Sequence, residues 1–237
     1  MEGMDLKNAY ALVTGGSSGI GYETARELAA AGAKVAICGR RADRLMQAAK
    51  DLGVLGIPCD ISEEASVKSL VRRVTTELGD YNVLINNAAF GYSSPLLDID
   101  TPKFTRLIAT NITGTMFVTR ESARIFVDRQ CGHIVNVGST SGSRGYVGGS
   151  AYVASKFALR GMNECWRAEL RTQNVRVMEI NPSEVLTDFA RAAGRSQTAT
   201  EDKLRPVEIA HAILGMLTMD DRGFTTDLTI WATNPRN

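Results

Sequence analysis

The stretch AYALVTGGSSGIGYETARELAA, residues 9–30, decides the expected fold of the whole chain. Residues 9–14 form a short apolar run that is typical of a buried strand, and residues 19–31 have helical periodicity. The glycine-rich segment GGSSGIG, residues 15–21, joins the two. A buried strand that passes through glycines into a helix is typical of the first unit of a parallel α/β sheet.

The same alternation continues along the chain. Strands are predicted at 9–14, 34–38, 54–59, 82–86, 133–137, 175–180 and 226–230, and helices at 19–31, 42–52, 63–78, 102–128, 151–172 and 206–218. Because the strands are nearly continuous apolar runs, helices should cover both faces of the sheet. The pattern therefore predicts an α/β fold: one Rossmann-like domain over residues 1–237, with a doubly wound, parallel, seven-stranded sheet flanked by helices.

Composition excludes several classes of function. The 237 residues are 44% hydrophobic and 22% charged, and Lys plus Arg total 27 against 26 acidic residues, a net charge of +1. That balance provides no basic surface for nucleic acid or for an anionic membrane, so neither is expected as a partner. The four cysteines form no C-x-x-C pair and there are two histidines, so no metal site is expected. With no leader-like N-terminus and no apolar run of the ~18 residues that a membrane span needs, we expect a cytoplasmic protein.

Distinctive residues follow the predicted strands where each strand ends. They are the glycine segment 15–21, then 39–41 (GRR), Asp60, 87–89 (NAA), 138–139 (GS) and 181–182 (NP). The carboxyl ends of parallel strands meet at one edge of the sheet, where open α/β folds bind ligands. We therefore expect the functional site at that edge.

The segment 15–21 and the residues after the second strand predict a dinucleotide site. Glycines allow the backbone to approach a pyrophosphate, and the following helix N-terminus offers free N–H donors. Arg40, with Arg41 beside it, stands where an acidic residue would bind the ribose hydroxyls of NAD, and an arginine there pairs instead with the 2′-phosphate of NADP. Asp60 either accepts a hydrogen bond from the adenine amino group or caps the next helix with Ser62. The alternatives are a tight structural turn and solvated arginines.

Tyr152 and Lys156 are the main candidates for catalysis. They are four residues apart in a predicted helix and so share one face. A free tyrosine has a pKa near ~10, and a nearby ammonium stabilises the phenolate, which suits proton exchange with a carbonyl or alcohol oxygen. Ser139 is positioned to hold that oxygen, with Ser141, Ser143 and Ser150 as alternatives. Asn111 is a candidate for binding a water that relays protons to Lys156. The alternative for Tyr152 and Lys156 is an ordinary surface pair.

Six motifs in order resemble the short-chain dehydrogenase/reductase family. They are TGGSSGIG (14–21), Asp60, NNAA (86–89), Asn111, Ser139 and YVASK (152–156), and their spacing matches from residue 8 to about 190. The resemblance implies that Asn111, Ser139, Tyr152 and Lys156 form a catalytic tetrad, with Lys156 also holding the nicotinamide ribose. The residues expected around NADP(H) are Gly15, Ser17, Ser18, Gly19, Ile20, Gly21, Arg40, Arg41, Asp60, Ile61, Asn87, Ala88, Ala89, Tyr152, Lys156, Pro182, Val185 and Thr187.

Two departures from the family pattern lie at the expected site. NNAA replaces the usual NNAG, which is tolerable unless residue 89 needs a positive φ, and Ser183 replaces the glycine that usually follows Pro182. The polar segment 188–205 is interpreted as a substrate lid, with a disordered surface insertion as the alternative. Substrate specificity is expected from 90–97, 141–149 and this lid.

The expected function is NADPH-dependent hydride transfer between the nicotinamide and a carbonyl or secondary alcohol. The substrate is a small molecule, either a 3-oxoacyl thioester or a small ketone. The alternative is a non-catalytic NADP-sensing protein on the same fold, against which the intact tetrad argues. The family resemblance also implies a homodimer or homotetramer.

Overall fold

A computed structural model of the chain describes residues 3–193 and 202–233. Its strands are β1 (Tyr10–Thr14), β2 (Lys34–Gly39), β3 (Leu55–Pro58), β4 (Val83–Asn86), β5 (Gly132–Val137), β6 (Val175–Pro182) and β7 (Asp227–Ile230). They form one parallel sheet in the order β3-β2-β1-β4-β5-β6-β7. The predicted parallel seven-stranded sheet is confirmed.

Helices lie on both faces of the sheet, as the apolar strands predict. They are α1 (Gly19–Ala30), α2 (Ala42–Leu52), α3 (Glu64–Leu78), α4 (Thr101–Ile108), α5 (Thr115–Asp128), α6 (Ser150–Leu170), α7 (Asp188–Ala192) and α8 (Pro206–Leu217). Helices α1, α2 and α8 share one apolar core with the sheet, while α3, α5 and α6 share the other. In β1, Ala11 and Val13 enter the first core and Leu12 enters the second, as strand alternation requires.

The predicted helix 102–128 is wrong in one respect. It begins as α4 and ends as α5, but residues Ala109–Gly114 form a π-helical turn between them. Within this wider turn the Asn111 side chain is buried and bonds to Phe90 and Ser155, which lie far away in sequence. Helical periodicity does not predict such a turn, because tertiary contacts stabilise it. π-turns are frequent at functional sites.

The predicted lid segment 188–205 is described only at its two ends, because residues 194–201 lie outside the described residues. It begins with the short helix α7, which is not among the predicted helices. Val185 pairs with Leu204 in a parallel bridge, and the Lys203 ammonium lies 3.1 Å from the Glu184 carboxylate. The two ends of the segment therefore meet beside β6. Among the described residues, no helix combines the length and the apolar character that crossing a bilayer requires.

Candidate active site

A cavity of about 1740 Å³ lies at the carboxyl edge of the sheet. It extends from the residues after β3 to those after β7, which is where the sequence places the site. Of the predicted site residues, all line this cavity except Gly21 and Asn111. Drug-sized ligands usually occupy about 300–1,000 Å³, so the cavity has room for a dinucleotide and a second small molecule.

The glycine loop after β1 has the local geometry that a pyrophosphate needs. Gly15 and Gly19 have φ values of 67° and 58°, a region that side chains disfavour. Ser18, the N-cap residue of α1, makes no side-chain capping bond, so the first N–H donors of this helix, which begins at the cavity, lack that partner. Gly21 lies behind the loop. A Cβ there would come closer than 3.0 Å to the Asn87 amide, so this glycine allows the helix to approach the strand ends.

Arginines gather at the β2 end of the cavity. Arg40 and Arg41 directly follow β2, and among the described residues neither has a carboxylate within ion-pair distance. The Arg40 guanidinium lies 5.9 Å from the centre of the Phe90 ring, and Arg106 from α4 lies 5.6 Å from the same ring. Arg106 is not predicted from the sequence, since only the fold brings α4 to β2. These unpaired cations fit a phosphate group on the adenosine half of a dinucleotide.

Asp60 forms a local turn with Ser62 and does not cap the next helix: α3 begins at Glu64, its N-cap residue is Glu63, and no side chain caps it. Asp60 Oδ1 accepts hydrogen bonds from the Ser62 backbone N–H at 3.0 Å and from the Ser62 hydroxyl at 2.7 Å. Its other oxygen accepts no hydrogen bond among the described residues, so the adenine role stays a prediction. Neither Ala89 nor Ser183 has a positive φ, so both departures from the family pattern are accommodated without strain.

Ser139, Tyr152 and Lys156 line the same cavity. The Ser139 hydroxyl accepts a hydrogen bond from the Ser141 backbone N–H at 3.1 Å and donates none among the described residues. The Lys156 ammonium donates to the Val137 carbonyl at 2.7 Å and lies 5.7 Å from the centre of the Tyr152 ring. Phe189, in α7 at the start of the predicted lid segment, packs against that ring at 5.5 Å between ring centres. A hydroxyl, a phenol and an ammonium thus surround one part of the cavity.

Lys156 is almost fully buried, with 4% of its surface exposed. Burial lowers the pKa of this lysine to about 8, and the charge of Glu179 opposes the change. Glu179 is itself buried in β6, and burial raises its pKa while Asn163 and Lys156 hold it down. Neither Glu179 oxygen accepts a hydrogen bond of ordinary geometry among the described residues. Glu179 is not among the predicted site residues, although a lone acid in an apolar strand is an unusual signal.

Gly138 is the point at which β6 supports the catalytic segment. Asn181 Oδ1 accepts the backbone N–H of Ser139 at 3.0 Å. A Cβ on Gly138 would come closer than 3.0 Å to that same oxygen and to Glu179 Oε1. Two polar side chains of one strand therefore pack against the backbone that carries Ser139.

The Asn111 side chain lies outside the cavity wall and its amide is already bonded. Its Oδ1 accepts the Phe90 N–H at 3.1 Å, while its Nδ2 donates to Phe90 O at 3.0 Å and to Ser155 Oγ at 3.2 Å. These bonds fix the segment after β4 against α6, one residue from Lys156. The structure does not bring this amide to Lys156, and the water-relay role stays a prediction.

Comparison with known proteins identifies the family. The sequence profile described as short chain dehydrogenase matches residues 9–198. The NADP-dependent 3-hydroxy acid dehydrogenase of Schizosaccharomyces pombe is 34% identical over 235 residues, which cover 93% of this chain and 91% of the relative. The chain belongs to the short-chain dehydrogenase family of oxidoreductases, as its motifs predict.

Solved structures agree with this assignment in fold. An alcohol dehydrogenase from the archaeon Thermococcus sibiricus, complexed with 5-hydroxy-NADP, is 28% identical with a TM-score of 0.87, over 96% of this chain and 97% of that one. A 3-ketoacyl-(acyl-carrier-protein) reductase from Brucella melitensis, complexed with NADH, is 26% identical with a TM-score of 0.87, over 95% and 97%. Similar proteins thus carry either nicotinamide cofactor.

Proposed function

We propose that this protein is an NADPH-dependent oxidoreductase that interconverts a carbonyl and a secondary alcohol. One observation carries the proposal: a buried ammonium, Lys156, lies beside the Tyr152 ring in the cavity that also holds the Ser139 hydroxyl. Among the described residues Lys156 forms no ion pair with a carboxylate, although the charge of Glu179 favours its ammonium form. A lysine that stabilises a phenolate must lie close to the phenol, as Lys156 does. The substrate class is a 3-oxoacyl compound or a small ketone.

Each of the three side chains has a task that its geometry supports. The Ser139 hydroxyl has a hydrogen that no described residue accepts, so it can donate to the substrate oxygen. Tyr152 gives its proton to that oxygen during reduction and takes it back during oxidation. Lys156 stabilises the phenolate that remains. NADPH, when bound, supplies the hydride. The Val137 carbonyl holds the ammonium in place throughout.

The choice of NADPH rests on the β2 end of the cavity. Arg40 and Arg41 stand where a carboxylate would select unphosphorylated ribose, and Arg106 adds a third cation from α4. The uncapped first turn of α1 and the left-handed glycines fit the pyrophosphate. The S. pombe relative is named for NADP, which supports the same preference.

The test of catalysis measures oxidation of NADPH and NADH by the purified protein. The panel contains an acetoacetyl thioester, simple ketones, dicarbonyls and keto-sugars. Tyr152→Phe should reduce turnover by about 10²- to 10⁴-fold, the usual contribution of a general acid, while NADPH fluorescence still reports binding. Tyr22→Phe, a tyrosine change outside the cavity, is the matched control. Normal turnover by Tyr152→Phe would contradict the assignment of the proton donor.

The test of cofactor choice is Arg40→Asp. We expect this substitution to weaken the binding of NADPH by about 10- to 100-fold, as for the loss of one charge-assisted hydrogen bond, and to affect the binding of NADH far less. Arg72→Gln, an exposed arginine outside the cavity, controls for the general loss of positive charge. An unchanged preference would show that Arg40 does not contact the phosphate.

The competing proposal, an NADP sensor, has a distinct outcome. It requires tight NADPH binding, no turnover of any panel member and no change of phenotype when Tyr152→Phe replaces the native chain in cells. The proposal also includes a homodimer or homotetramer, which light scattering on the purified protein tests directly. Phe157 on α6, 46% exposed, is one apolar residue that such an assembly would cover.

A further inference from the structure

A second cationic position lies at the opposite end of the cavity from Arg40. Arg144 belongs to the segment between β5 and α6, and Trp231 directly follows β7. The Arg144 guanidinium carbon lies 5.1 Å from the centre of the Trp231 ring system. Both side chains line the cavity that contains Ser139 and Tyr152.

Arg144 is a cation without a carboxylate partner among the described residues. Three of the acidic side chains that line the cavity form ion pairs with other residues: Glu23 with Arg26, Glu184 with Lys203, and Asp188 with Arg44. The fourth, Asp60, follows β3 at the opposite edge of the sheet from Trp231. A cation–π contact with an indole restrains a guanidinium but leaves its charge and its N–H donors available. This end of the cavity therefore presents a preoriented fork that matches an oxyanion.

The Arg144 position cannot serve the same anion as Arg40. Arg40 directly follows β2 and Trp231 directly follows β7, and the sheet order separates these strands by five steps. At ~4.8 Å per step, the two strand ends are about 24 Å apart. The Ser183 N–H donates to the Ile230 carbonyl at 2.8 Å, so Trp231 lies close to the end of β6. The Asn181 side chain at that end accepts the Ser139 backbone N–H, so Trp231 is on the Ser139 side of the cavity.

We propose that Arg144, held by Trp231, forms an anion subsite of the substrate pocket, and that the preferred substrate is a carbonyl compound bearing an oxyanion group. This inference rests on the proposed carbonyl reductase function. Two sources share that chemistry: the carboxylate of a free 3-oxo acid and the phosphates of a carrier thioester. The subsite would give anionic substrates a lower KM than neutral compounds with the same reacting ketone.

The experiment compares four probes that share one ketone, with NADPH at saturation. They are acetoacetate, its methyl ester, its N-acetylcysteamine thioester and its coenzyme A thioester. Arg144→Gln should raise the KM of an anionic probe at least about tenfold more than that of the neutral methyl ester, as expected for one charge-assisted pair. Arg144→Lys should restore part of this selectivity, because it keeps the charge but not the planar fork. Arg72→Gln controls for the loss of charge outside the cavity.

The outcomes separate the subsite from the reductase function. A selective KM effect on acetoacetate assigns a carboxylate, and one confined to the coenzyme A thioester assigns carrier phosphates; both support the subsite. Equal KM changes for charged and neutral probes, or none, overturn it while turnover of the methyl ester still upholds the reductase. Absence of NADPH oxidation with every probe and with the neutral panel would instead overturn the function on which the subsite rests.

Discussion

Replacement of Gly138 by alanine tests whether β6 positions the catalytic segment. The added Cβ would come closer than 3.0 Å to Asn181 Oδ1 and to Glu179 Oε1, and it would lie 3.2 Å from Asn181 Cγ. The φ of Gly138 is not positive, so steric contact is the cause of the effect and backbone strain is not. Asn181 must move, and it is the acceptor for the Ser139 N–H.

The size of the effect follows from these contacts. Overpacking of this kind costs about 1–3 kcal/mol, and the lost hydrogen bond of Ser139 adds about 0.5–1.5 kcal/mol. Alanine restricts the unfolded chain more than glycine does, which offsets about 0.4–1 kcal/mol of this loss of stability. These contributions sum to a fall in the free energy of unfolding of about 0.5–4 kcal/mol, centred near ~2 kcal/mol, and the central value lowers Tm by roughly 4–8 °C at this chain length. Because a displacement of about 1 Å can cost 10²-fold in rate, kcat should fall by a similar factor.

Urea unfolding, thermal unfolding and NADPH oxidation measure the three quantities. Gly161→Ala is the matched control: nothing lies within 4 Å of its added Cβ, and it is exposed in the middle of α6. This control should gain about 0.5–1 kcal/mol of stability and keep its activity. If Gly138→Ala matched Gly161→Ala in stability and kcat, the positioning of Ser139 by β6 would be refuted.

Two further predictions concern pH. Because burial lowers the pKa of Lys156 to about 8, kcat/KM for reduction should fall above about pH 8. The charge of Glu179 raises this pKa, so Glu179→Gln should move the fall in kcat/KM to lower pH. Identical pH profiles for the native protein and Glu179→Gln would contradict the coupling. Burial and the charge of Arg176 lower the pKa of His133 to about 4, although the charge of Asp221 acts to raise it. The folded state therefore favours the neutral imidazole. Stability from His133 is therefore complete above its unfolded pKa of about 6.5 and lost toward pH 4, at most about 3 kcal/mol. In urea titrations His133→Gln should show a shallower loss over this range, and an equal slope would exclude the effect.

Much of the fold could be predicted from the sequence because its signals are local. Each strand is a short, largely apolar run, and glycine or a polar residue follows β1, β2, β4, β5 and β6. The strand positions agree to within one or two residues. Arg40 and Ser139, which follow β2 and β5, line one cavity as the carboxyl-edge rule predicts, and Tyr152 of α6 lines the same cavity. The π-turn at Asn111 was missed because its stabilising bonds reach Phe90 and Ser155, 21 and 44 residues away.

The parts of the site that sequence reasoning missed depend on which strands are neighbours. Arg144 and Trp231 are 87 positions apart and meet because β7 pairs with β6, which in turn pairs with β5. The role of Glu179 can be recognised only from the fold, because the pairing of β6 with β5 places its buried carboxylate beside Gly138 and near the buried Lys156 ammonium. Burial alone would disfavour both charges, but each reduces the cost of the other. A neutral residue at position 179 would remove that compensation, so we attribute the acid in this strand to the lysine it accompanies.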